Sequence, residues 1–127
     1  LDNKYLIWII DRQHWPRTLL RAELIERGFD AGGFEEITDA LNELGKESAL
    51  RPRVIVVELR EQERKQEHLD KLIQIGIPLI ILGDETELSE QTLKMHQRVA
   101  VMKRPMTIGE VADMVEEIAE NASDNGL

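Results

Sequence analysis

Three apolar runs in this chain end in polar residues, and those polar residues are the best placed to do chemistry. Arg53 to Leu59 reads RVIVVEL, four consecutive β-branched residues followed by the carboxylate of Glu58. Leu6 to Ile10 is followed by Asp11 and Arg12, and Leu79 to Leu82 by Gly83 and Asp84. The C-terminal ends of neighbouring parallel strands form the crevice where open α/β sheets bind ligands, so the three runs, as neighbours, would bring these groups to one edge. A carboxylate at that edge is a candidate for catalysis or ligand binding.

Other chemistry has little support. His14, His68 and His96 have no metal-ligand spacing and read as surface or half-buried side chains. The Gly32-Gly33 pair lacks the GxGxxG or P-loop spacing of a phosphate cradle and reads as a turn. No Ser-His-Asp set and no Gly-rich nucleotide loop accompany the acids, so an enzyme is not expected. Trp8 lies within an apolar run and reads as packing. Trp15, ahead of Pro16, either covers the crevice or staples the first helix, and the staple is preferred. The charge run REQERKQE, directly after Leu59, reads as a solvated loop or helix face, with a charged docking surface as the alternative.

The elements that must position these residues alternate along the chain. Tyr5 to Ile10 predicts a first strand, and a helix from about Trp15 to Arg27 follows, with Pro16 harmless in a first turn and Gly28 as its stop. Phe29 to Phe34 is a weak strand suited to an edge, because Gly32 and Gly33 dilute it. A second helix is expected from Glu35 to about Leu44, with Ile37, Ala40, Leu41 and Leu44 on one face and Glu35 and Glu36 in the first turn. Val54 to Val57 has no polar side, which predicts a strand covered on both faces. A helix resumes from Leu69, with Leu69, Leu72 and Ile73 inward and Gly76 as its stop, and Leu79 to Leu82 is a fourth strand. A weakly amphipathic helix from about Ser89 to Gln97 precedes a fifth strand, Val99 to Met102. Thr107 and Glu110 then form the T-x-x-E box of a last helix carrying Ile108, Val111, Met114, Val115 and Ile118. Residues Asn121 to Leu127 read as a frayed tail or the start of a linker. Short connections in this βα alternation predict a parallel sheet with right-handed crossovers and helices on both faces.

Composition narrows the function classes. The 127 residues suit one domain, and 42% hydrophobic with 32% charged residues is globular rather than disordered. Sixteen basic against twenty-five acidic residues give a net charge of −9, which disfavours direct nucleic-acid binding. The absence of cysteine excludes disulfides and thiol chemistry. No apolar run approaches the roughly 18 to 20 residues of a membrane span, and no leader is recognisable, so a cytoplasmic protein is expected. The sequence opens on Leu1 rather than Met, in keeping with a segment of a longer protein.

Five elements in order resemble the receiver domains of two-component response regulators. IWIID is similar to their first strand and its acidic end, ERGFD with EEITDALNEL to the second βα unit, and VIVVEL to the phosphoacceptor strand. IPLIIL is similar to the fourth strand, and MKRPM to the basic-Pro junction before the last helix. The resemblance implies a flavodoxin-like three-layer (βα)5 sandwich with a parallel five-stranded sheet in the order 2-1-3-4-5. It would span residues 1–122, with 123–127 as tail or linker.

The resemblance also implies which residues should carry phosphotransfer, and here they differ. The position of the paired metal-binding acids holds Asp11 and Arg12, the phosphoacceptor position Glu58, the hydroxyl position Gly83, and the basic-Pro junction Lys103, Arg104 and Pro105. A guanidinium beside the acids opposes Mg²⁺, which needs near-octahedral oxygen ligands. The extra methylene of Glu58 displaces its carboxylate by about an ångström, a misplacement that costs on the order of a hundredfold. An atypical receiver is therefore expected, not phosphorylated, without a cofactor and with Mg²⁺ binding disfavoured. It would act through a protein partner or a second copy on the face of helix 4, strand 5 and helix 5. The alternatives are a conventional phosphoacceptor with an unusual pocket and a flavodoxin-like small-ligand binder, the latter opposed by the turn DRQHWPRT, which lacks clustered Gly and hydroxyl residues. Glu58 reads either as a fixed negative charge imitating a phosphorylated state or as a polar strand end partnered by Arg12, Lys103 or Arg104. Arg12 or Lys103 is the expected counter-charge in place of a metal.

Overall fold

In the computed structural model, residues 5–47, 50–90 and 98–125 are described. The strands are β1 (Leu6–Ile10), β2 (Asp30–Phe34), β3 (Val54–Glu58), β4 (Leu79–Gly83) and β5 (Val99–Lys103). Between and after them lie α1 (His14–Glu26), α2 (Ile37–Leu44), α3 (Lys65–Ile75), α4 (Glu85–Glu90) and α5 (Ile108–Asn125). All strand pairs are parallel, in the order β2-β1-β3-β4-β5.

Strand β3 occupies the centre because its composition tolerates no solvent on either side. Val54 and Val56 face one core layer with Leu20 and Leu24 of α1 and Val111, Ala112, Val115 and Ala119 of α5. Ile55 and Val57 face the other, with Ile37 and Ala40 of α2 and Leu69 and Leu72 of α3. Full burial of each such side chain is worth roughly 1.5–3 kcal/mol, so a polar residue at any of these four positions would unseat a helix layer. Trp8 belongs to the second layer, its ring 4.7 Å from that of Phe34 at an angle of 62°. Strand β2 takes one edge of the sheet, where its two glycines cost least; a Cβ on Gly32 would come within 3.6 Å of the Trp8 ring.

Several local expectations change. Trp15 is 69% exposed and meets only the His14 ring edge-on among the aromatic contacts, so it neither staples α1 nor covers the crevice. The buried stripe of α1 is carried by Leu20 and Leu24, and Leu19 lies on the outside. Glu36 lies outside the first turn of α2: it is the N-cap, in a reciprocal capping box with Asp39. Helix α3 begins at Lys65, inside the charge run, after Arg64 adopts a left-handed conformation with φ 49°. The helix expected over Ser89 to Gln97 begins earlier, at Glu85, and residues 91–97 lie outside the described residues. The Thr107–Glu110 box is present, with both hydrogen bonds at 2.8 and 3.0 Å, and α5 continues to Asn125, so the stretch read as a tail is helical to that point. Among the described residues no helix is long and apolar enough to cross a membrane.

Candidate functional site

The carboxyl ends of β1, β3 and β4 meet as expected, that of β5 joins them, and the acids there are already paired with arginines. Asp11 leaves β1 with its backbone N–H donated to Phe34 O of β2 at 3.0 Å, which turns its side chain into the crevice. One carboxylate oxygen accepts the Gln13 N–H at 2.9 Å and the other accepts Arg60 Nη2 at 3.0 Å. Arg17 adds a bond from Nη1 to the Asp11 carbonyl at 2.7 Å.

Glu58 is the last residue of β3 and is buried. Its Oε1 accepts the Arg60 backbone N–H at 3.1 Å and a short hydrogen bond from Arg104 Nη1. Burial pushes the Glu58 carboxyl above its ordinary range, against the opposing pull of Arg104 and of the Arg60 N–H. Burial acts to lower Arg104 in turn, but its bonds to Glu58 and Glu87 outweigh that and hold it above the ordinary arginine range. The pair is therefore costly to create and worse to break, since a lone buried charge has nothing to offset its desolvation.

Arg104 reaches further than Glu58. Its Nη2 donates to Glu87 Oε1 at 2.6 Å and lies 3.7 Å from Asp84 Oδ2, and its backbone N–H bonds Gly83 O at 2.8 Å. Glu87 and Asp84 cap each other across the start of α4, each accepting the other's backbone N–H, at 2.9 and 2.7 Å. Gly83 makes room for this arrangement: a Cβ there would come within 3.3 Å of Glu87 Oε1 and of Leu88. The Arg104–Pro105 peptide bond is cis.

The expected counter-charges are elsewhere. Arg12 Nη1 pairs with Glu36 Oε2 at 2.6 Å, and Lys103 Nζ pairs with Glu85 Oε1 at 3.0 Å on an exposed rim. Alternation along β5 explains Lys103: consecutive strand residues point to opposite faces, and the turn into Pro105 brings Arg104 back over β4 and β3. The charge run after Leu59 is also less solvated than its composition suggests. Arg60 turns inward to Asp11, and Gln62 is buried, donating to Glu35 O at 2.7 Å and accepting the Ile37 N–H at 3.0 Å. Glu61, with φ 62°, faces outward and accepts from Gln13 Nε2. Arg60, Gln62 and Glu87 are the residues that sequence reasoning missed; the E-x-R spacing after a buried strand was the available signal for Arg60, and nothing local marks Glu87.

The donor set does not fit a divalent cation in this arrangement. Both oxygens of Asp11 accept hydrogen bonds, one from a guanidinium, and Glu58 Oε1 accepts from another. Among the described residues no group of three His, Asp or Glu side chains is arranged to hold a metal ion.

Neither a protein-family model nor a curated protein matches this sequence. Solved structures do match. The receiver domain of a Francisella response regulator superimposes with a TM-score of 0.74 at 20% identity, over 94% of this chain and 99% of that one. A response regulator receiver protein from Burkholderia phymatum gives 0.76 at 15% identity, over 92% and 96%. The fold is that of a response-regulator receiver domain. NtrX from Brucella abortus, solved in complex with ADP, gives 0.75 at 13% identity, and there the match covers 96% of this chain but 28% of the longer one. The receiver fold, with five parallel strands in the order 2-1-3-4-5, thus agrees with the expectation from sequence.

Proposed function

We propose that this chain is an atypical receiver module of two-component, phosphorelay signalling that acts through protein–protein contact and not through phosphoryl transfer. The observation that carries this reading is the state of Glu58, at the position equivalent to a phosphoacceptor: its carboxylate is already engaged by Arg104 and the Arg60 N–H. Both bonds fall on Oε1, which ties the carboxylate to the Arg104 guanidinium and to the loop after β3, and the neighbouring Asp11 is committed to Arg60 instead of a metal. Arg12, Gly83, Lys103, Arg104 and Pro105 occupy the remaining positions of the degenerate site. No catalytic role is assigned to any of them.

The partner surface we favour is the face of α4, β5 and α5, engaged by a protein partner or a second copy. Strand β5 is an edge of the sheet, with Val101 exposed and Lys103 and Glu85 paired beside it. A cytoplasmic setting without direct nucleic-acid contact fits the charge of −9.

Incubation of the chain with Mg²⁺ and a small-molecule phosphodonor, followed by intact mass, tests the reading. No phosphoryl adduct is the expected result. An adduct that disappears in Glu58→Gln would establish the conventional phosphoacceptor in its place.

A further inference from the structure

We infer that Arg104 is a clamp that sets the position of the first turn of α4 from the strand-end site. Three carboxylates converge on its guanidinium, and they come from three places in the fold: Glu58 from the end of β3, Asp84 from the turn after β4, and Glu87 from α4 itself. The backbone of Arg104 is pinned as well, through its N–H to Gly83 O. Arginine can do this where lysine could not, because its planar fork presents separate N–H groups to separate acceptors in fixed directions. Here Nη1 takes Glu58 and Nη2 takes Glu87.

Glu87 also accepts the Asp84 N–H, so the same oxygen that meets Arg104 organises the N-terminal turn of the helix. Glu58 makes no bond to α4 among its hydrogen bonds; its influence on that turn runs through Arg104. The absence of a side chain at Gly83 completes the device, since a Cβ there would crowd Glu87 and Leu88. The clamp needs no added ligand: the charge of Glu58 is built into the chain. Removing that charge, or drawing the guanidinium elsewhere, releases the turn next to the β5 edge. The inference deepens the proposed reading and rests on it for its signalling meaning, while its physical content is independent.

The test is backbone hydrogen exchange, read by mass spectrometry on the full chain, for wild type, Glu58→Gln, Glu87→Gln and the rim control Lys103→Ala. Glu58→Gln is expected to speed exchange over residues 85–90 by about tenfold, the effect of losing one charge-assisted hydrogen bond. Glu87→Gln should do the same, the double variant should add little, and Lys103→Ala should leave the segment within about twofold of wild type. Wild-type exchange at 85–90 in Glu58→Gln, with changes confined to residues around 58–60, would overturn the clamp. Arg104→Lys keeps the charge and loses the fork; it carries the same expectation and the same contrary result, and replaces Glu58→Gln should that variant not fold. The two hypotheses separate cleanly. A phosphoryl adduct on Glu58 in a chain whose α4 still responds sinks the functional reading alone, and an unresponsive α4 in a chain that takes no phosphoryl group sinks the clamp alone.

Discussion

Asp11 and Glu58 end adjacent strands of one sheet and are 5% and 3% exposed, yet their partners give them different reach. Asp11 is held by Arg60 and the Gln13 N–H, groups from the loops that follow β3 and β1 themselves. Glu58 is held by Arg104, which comes from beyond β5 and extends on to α4. The first half of the site closes the crevice over its own loops. The second ties the crevice to a helix at a different part of the surface. Burial alone is therefore a poor guide to what a strand-end acid does; the origin of its counter-charge decides whether its state is felt elsewhere.

The largest expected effect breaks the Glu58 half outright. Arg104→Met leaves a buried carboxylate without its main partner and should destabilise the chain by about 3 kcal/mol in urea titration. A loss under about 1 kcal/mol would mean that the pair contributes no more than a surface bridge. Arg60→Met comes next, at about 1–2 kcal/mol, because Asp11 keeps its bond from the Gln13 N–H. That variant should leave exchange in residues 85–90 unchanged; if it loosens α4 as Arg104 variants do, the two halves are not distinct.

The smallest effect sharpens the Glu58 half through pH. Burial raises the folded pKa of Glu58 above its ordinary 4.5. A group with a raised folded pKa stabilises in its protonated form, so its contribution is complete below about pH 4.5 and declines as pH rises through the folded value. Between about pH 4 and pH 7, wild type should therefore lose stability relative to Glu58→Gln. A relative gain with rising pH would show that the pull of Arg104 outweighs burial.

Legibility followed the range of the interactions. The four β-branched residues of β3 announce a strand covered on both faces, and the Thr107–Glu110 box announces the start of α5, because each depends on neighbours within a few residues. Trp15 misled because an aromatic in the first turn of a helix can lie on either side of it, and only the packing of Leu20 and Leu24 decides which side of α1 is inward. REQERKQE misled for a related reason: charge density reads as solvation, whereas Arg60 and Gln62 find acceptors on segments 49 and 27 residues away in sequence. Arg12 and Lys103 stand at the carboxyl ends of β1 and β5, yet they pair with Glu36 and Glu85.

By itself, the sequence determined the succession of strands and helices, a β3 covered on both faces and the arrival of Asp11, Glu58 and Gly83 at one edge, which follow from periodicity, β-branching and short crossovers; the Lys103-Arg104-Pro105 junction was placed there by the resemblance to receiver domains. Only the tertiary structure decided which cation meets which acid. A guanidinium or carboxylate reaches several ångströms from its backbone, so its partner is chosen by the direction in which the strand end and the following turn present it, and composition carries no record of that direction. Glu58 thereby belongs with Arg104 and, through it, with α4.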